Sequence, residues 1–194
     1  MSIPNSFNPM GTLGAGEPFV QPVLKSNTAI DESKPHSCSM SIAKRPKGDG
    51  TYYEPGNSYE YVACYYVFDG RIDTSGGIAT SYDQVVDGFD VCALCIKFSR
   101  PVKFNNVKFL PVGFNVRSSH VQFRYVDATG EEIVCGDMKS TPDARWTNKW
   151  YSFPLTMTEY TNEIRIFSDK PDGNVSNWAF QVYDMQFEGV HKKS

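Results

Sequence analysis

No stretch of twelve residues in this chain carries an amphipathic 3.6-residue period, whereas short apolar/polar alternations recur between turns containing Gly, Pro, Asn and Asp. A helix needs the longer period to bury one stripe; a strand needs a period of two. Val121, Phe123 and Tyr125 alternate with Gln122 and Arg124, and Asp127-Ala-Thr-Gly130 supplies a hairpin turn into Ile133–Cys135. The same pattern predicts strands over Val91–Phe98, Phe104–Leu110, Lys149–Leu155, Glu163–Phe167 and Trp178–Phe187, while Glu60–Phe68, apolar on both faces, reads as a central strand. In the last of these, Trp178, Phe180 and Val182 share one face but Tyr183, Met185 and Phe187 fall on the other. That phase change calls for a bulge or for burial on both sides. Thirteen Phe, eleven Tyr and three Trp among 194 residues suit pleated surfaces. The expected architecture is an antiparallel sandwich or barrel of one domain.

Charge narrows the function classes. Nineteen Lys and Arg against 22 Asp and Glu leave a net charge of −3, which excludes a generally basic nucleic-acid binder. No apolar run is long enough to cross a bilayer as a helix, and the first ten residues lack the basic and apolar regions of a secretory leader, so synthesis in a host cytoplasm is expected. Five cysteines suggest no disulfide framework. Cys92 and Cys95, three apart on a predicted strand, point to opposite faces and cannot share a metal; buried free thiols are expected.

Residues 1–30 differ from the rest, with only Glu17 and Lys25 charged beside twelve apolar residues, and with Pro4, Pro9, Pro18 and Pro22 breaking any helix. Such a segment cannot form a core and must lie on another surface. The reading is an extended N-terminal docking arm over 1–17, a sandwich over 18–190 and a tail over 191–194. Ile3, Phe7, Met10, Leu13 and Phe19 are then the residues that meet a partner chain, with the chain's own domain as the other surface available.

Several segments in order resemble the discoidin, or coagulation-factor type C, family of galactose-binding-like jelly rolls. These are Pro22–Ala29 as a first strand, Tyr65-Tyr-Val-Phe-Asp-Gly70, the strand pair joined by a Pro-Val turn in Phe98–Phe109, Tyr160–Ile166, and Trp178–Gly189. The tryptophan usual soon after the Asp-Gly turn is missing from Arg71–Ser81, and Phe89 and Val91 stand where another strand usually begins with Trp. The resemblance therefore carries the fold better than a ligand preference. It implies an all-β antiparallel jelly-roll sandwich and, as in many members, a structural calcium ion, here matching Asp69, Asp73, Thr74 and Asp184. A simple Asp-Gly turn and a hydrogen-bonded Asp184 are the alternative.

Sugars stack on exposed aromatic rings framed by polar groups. Trp146, between Arg145 and Asn148 in a polar loop, is the leading candidate for glycan contact, followed by Tyr52 and Tyr53; Trp150 and Trp178 read as core. The cluster Lys44-Arg45-Pro46-Lys47 reads as a solvated loop. No nucleophile motif, phosphate loop or His-rich metal set argues for an enzyme. The arm and the resemblance together favour a non-enzymatic bacteriophage virion protein, such as a tail, fibre or capsid-decoration subunit. It would dock to other virion proteins in a multi-copy assembly and offer the sandwich to host glycans. The alternative is a freestanding carbohydrate-binding module or lectin.

Overall fold

A computed structural model describes residues 16–27, 37–53, 64–73, 76–79, 85–111, 120–139, 149–169 and 178–193. The strands are β1 (Glu17–Pro18), β2 (Cys38–Lys44), β3 (Gly76–Ala79), β4 (Val85–Val86), β5 (Phe89–Asp90), β6 (Cys92–Pro111), β7 (Val121–Val126), β8 (Glu132–Met138), β9 (Tyr151–Pro154), β10 (Thr161–Ser168) and β11 (Trp178–His191). All recorded pairings are antiparallel.

The twenty-residue β6 organises the molecule. Its first half pairs with β2 on one side and β10 on the other, and β10 continues through β7 to β8. Its second half pairs with β9 and β11, and β11 adds β1 and β3. One strand thus belongs to two layers, and the core lies between them. Leu94, Ile96 and Phe98 continue in phase with Val102 and Phe104 into that core, after which Val107 and Phe109 take the opposite parity. Asn105 absorbs the slip: Glu188 faces Asn106 while Gly189 faces Phe104, leaving Asn105 as a bulge. The strand pair expected to be joined at Pro101-Val102 is therefore one continuous strand that changes partners there. Proline is tolerated because its missing N–H falls where the ladder is being exchanged.

The phase change in the last strand is real. Val182 pairs with Pro111 and Asp184 with Leu110, so Tyr183 is the extra residue, and Val182, Met185 and Phe187 all reach the core. The Asp127–Gly130 turn also forms, with Gly130 at φ 89° and the Asp127 carboxylate accepting the N–H groups of Thr129 and Glu131.

Other expectations are corrected. Cys64–Phe68 is a 3-10 turn and not the end of a central strand; burial of Cys64, Val67 and Phe68 explains the apolar run without period-two pairing. Its predicted beginning, 60–63, lies outside the described residues. Residues 22–27 form no strand. Instead the Gln21 side chain spans what a strand would, its Nε2 donating to Met185 O and its Oε1 accepting from Phe187 N. Phe19, expected to meet a partner, packs edge-on against Phe98 and Phe104 of its own core at 5.8 and 4.8 Å, with its N–H on Gly189 O. An aromatic ring this close to a core seam gains more from intramolecular burial than exposure would allow. Glu17 pairs with His191, itself buried, one residue beyond each end of 18–190. Ile3, Phe7, Met10 and Leu13 lie outside the described residues.

Candidate functional site

Three places on this scaffold carry the sequence-derived candidates or groups like them. The first is the loop following β2. Pro46 bridges Tyr52, Lys47 N–H donates to Thr51 O, and Asp49 accepts from the Thr51 N–H and hydroxyl. Those Thr51 hydrogen bonds hold the Asp49 carboxyl below its ordinary range. Gly48 and Gly50, at φ 82° and 86°, let the chain reverse within this span. The result is a short rigid loop that presents Tyr52 at 57% exposure, with Lys47 Nζ 5.4 Å from the Tyr53 ring centroid. The exposed Tyr52 ring is suited to stacking on a sugar ring, whereas one face of Tyr53 already carries Lys47. The loop is not wholly solvated, as the basic cluster suggested. The Arg45 guanidinium is largely buried, donating to Val86 O, pairing with Asp87 at 3.0 Å and lying over Phe167. Arg145, Trp146 and Asn148 lie outside the described residues.

The second place is the turn after the 3-10 segment. Asp69 accepts from Arg71 N–H, and Asp73 makes a two-point ion pair with Arg71, at 2.8 Å to both Nε and the second guanidinium nitrogen. That pairing holds the Asp73 carboxyl low and occupies it. Asp184 is buried on β11, accepting from Met185 N–H and Gln186 Nε2. Burial raises its pKa, and the charge of Asp69 adds to the rise. Asp73 would have to leave Arg71 to join a cation at this turn. Thr74 lies outside the described residues. No group of three His, Cys, Asp or Glu converges among the described residues.

The third place was not legible. Trp150, read as core, is 42% exposed because it precedes β9 with the parity of the exposed Ser152 and Pro154, not that of the half-buried Tyr151 and Phe153. It stands at the margin of the outer face of the β9–β6–β11 layer. Ser152 Oγ donates to Asn106 Oδ1 at 3.0 Å, Asn106 Nδ2 donates to Glu188 Oε2 at 2.7 Å, and Lys108 pairs with the same carboxylate. The Lys108 hydrogen bond keeps the Glu188 carboxyl below its usual range. The signal available in sequence was the alternation Trp-Tyr-Ser-Phe-Pro, with the smaller polar residue on the side of Trp150.

The thiols are inert by position. Cys38, Cys64, Cys95 and Cys135 are free and buried, and burial pushes Cys38 and Cys135 up to about 12 and Cys64 to about 11.

No protein-family model matches the sequence, and no curated protein matches it. The fold, in contrast, is similar to solved structures. One is the family 32 carbohydrate-binding module of Clostridium perfringens NanJ in complex with galactose, at 12% identity over 78% of this chain and 93% of that one, with a TM-score of 0.51. Another is a family 32 module of a C. perfringens family 89 protein in complex with GalNAc-β-1,3-galactose (11% identity, 77% and 94% covered, TM-score 0.50). A third is the C-terminal domain of a Bacteroides fragilis chitobiase (15% identity, 82% and 97%, TM-score 0.51). At these identities the likeness is one of fold: an all-β antiparallel jelly-roll sandwich of the discoidin, galactose-binding-like type. None of these three connects the chain to a virion protein.

Proposed function

We propose that this protein is a non-catalytic carbohydrate-binding module, using the loop end that carries Tyr52 as a glycan contact. The observation that supports this most is the rigid presentation of Tyr52 on a sandwich whose fold neighbours include modules solved with galactose and with a galactosyl disaccharide. Backbone bridging and the Asp49 cap fix the loop before any ligand arrives, so little ordering entropy is lost on binding. Tyr53, with Lys47 over its ring, belongs to the proposal beside Tyr52, and Arg145, Trp146 and Asn148 belong to it through their sequence. A structural calcium ion held by Asp69 and Asp184 also belongs to it, with the role of bracing the turn against β11.

The test is a glycan array followed by calorimetric titration of galactose and GalNAc-β-1,3-galactose. Binding is expected, and Tyr52→Ala is expected to weaken it about 3- to 10-fold, the range for loss of one aromatic contact. A properly folded protein that binds no glycan on the array would refute the reading.

A further inference from the structure

The outer faces of the two layers differ. On the β2–β6–β10–β7–β8 layer the polar row is closed. Glu132 pairs with both Arg124 and Arg165, Arg165 with Glu163, and all four side chains are no more than 21% exposed. The β4–β5 hairpin lies at its end, with Phe89 in contact with Ala93 and Phe167. On the β9–β6–β11 layer the row is open, with Lys108 and Glu188 about 40% exposed and Ser152, Gln186 and Trp150 exposed.

We propose that this open face binds a neutral oligosaccharide. Trp150 is the stacking surface, and Ser152, Asn106, Gln186 and the Lys108–Glu188 pair form a hydrogen-bonding floor. The inference rests on the carbohydrate-binding reading and adds a contact on the other layer from the Tyr52 loop.

Register places the parts. Ser152 pairs with Lys108, Lys108 with Gln186, and Asn106 with Glu188, so the floor crosses three adjacent strands. At about 4.8 Å per strand the floor is about 10 Å wide, and Trp150 stands about 7 Å along β9 from Ser152. These dimensions suit a chain of sugars, not a single ring. The side chains are already fixed by the Ser152–Asn106–Glu188 bonds, yet each retains donor or acceptor capacity: Asn106 uses two of its four positions and Lys108 has further protons. Hydroxyls, which both donate and accept, complement such a mixed array. Charge complementarity selects the neutral class, because Lys108 is already matched by Glu188 and an acidic sugar would have to displace that carboxylate or face it. Trp150, at 42% exposure, presents part of its ring to solvent.

The experiment is affinity electrophoresis of the full chain through gels containing galactan, xyloglucan or polygalacturonate, using wild type, Trp150→Ala, Ser152→Ala and Tyr52→Ala, with thermal melts of each. Retardation by a neutral polymer and not by polygalacturonate is expected. Trp150→Ala should weaken the neutral interaction about 3- to 10-fold, and Ser152→Ala by less, at unchanged melting temperature. If Trp150→Ala is retarded like wild type while Tyr52→Ala is not retarded, the sheet-face site is wrong and the carbohydrate-binding reading stands. Preference for polygalacturonate overturns the neutral assignment, and no retardation by any polymer overturns the sheet-face site, while the carbohydrate-binding reading is decided by the glycan array.

Discussion

Gly189 sits beside the bulge at Asn105, directly against β6. A Cβ built there lies 2.2 Å from the carbonyl oxygen of Lys103 and 2.8 Å from Cα of Phe104. Van der Waals contact needs roughly 1 Å more than the shorter of these. Phe104 Cδ1 is also met at 2.8 Å, but the other two atoms are backbone of the paired strand, so no rotamer change relieves the overlap. Gly189→Ala must push β11 away from β6 at the point where Gly189 O also accepts from Phe19 N–H. Overpacking of this kind costs about 1–3 kcal/mol, and the backbone nature of the clash puts it at about 3. For a chain of this length that lowers the melting temperature by about 6–12 °C. Gly136→Ala is the comparison: its nearest neighbour is Leu155 Cδ2 at 2.6 Å, the end of a side chain that can turn aside, so about 1 kcal/mol is expected. Urea unfolding followed by fluorescence, with calorimetry, reads both. A Gly189→Ala loss below 0.5 kcal/mol, or a larger loss for Gly136→Ala, would refute the reasoning.

Glu132→Gln should cost about 1–2 kcal/mol in urea unfolding, because it leaves the Arg124 and Arg165 guanidiniums facing each other without their shared carboxylate. Burial alone would raise the Glu163 carboxyl, but the Arg165 hydrogen bond and charge, the Cys95 thiol and Lys97 together bring it below its ordinary 4.5. The stability it contributes is therefore complete above that value and is lost as pH falls through the lower folded value, and Glu163→Gln should flatten this acid limb in pH-dependent melts. At pH 8 the thiols of Cys38, Cys64, Cys95 and Cys135 should react with a disulfide reagent only as the chain unfolds. Chelation by EGTA should lower the melting temperature, and added calcium should restore it, if Asp69 and Asp184 hold the ion.

Period-two alternation made most strands legible, including the Asp127–Gly130 hairpin and the bulge in β11. What escaped it were features in which neighbours override periodicity. Cys64–Phe68 is apolar because it is a buried turn, not because it is paired on two sides. Cys38–Lys44 went unread as a strand although Cys38, Met40 and Ile42 alternate with Ser39, Ser41 and Ala43, a signal the sequence did carry. At the site level, Tyr52 stood out through the glycines around it, whereas Trp150 was hidden by the strand beside it. Phe19 could not be distinguished from the arm residues before it, since only the position of Gly189 shows that the chain is already docked there.

The amide of Gln21 has a bearing on how copies of this protein behave together. Along one side of β11, residues 178–182 are paired by β3, Met185 O and Phe187 N by Gln21, Gly189 O by Phe19, and Val190 and His191 by β1. One side chain thus closes the gap between two short strands, and among the described residues this side of β11 offers no run of unpaired peptide groups from Val182 to His191 onto which a foreign strand could add. A sheet open at that gap would be a template for edge-to-edge aggregation; a glutamine in place of a strand covers the exposed edge there.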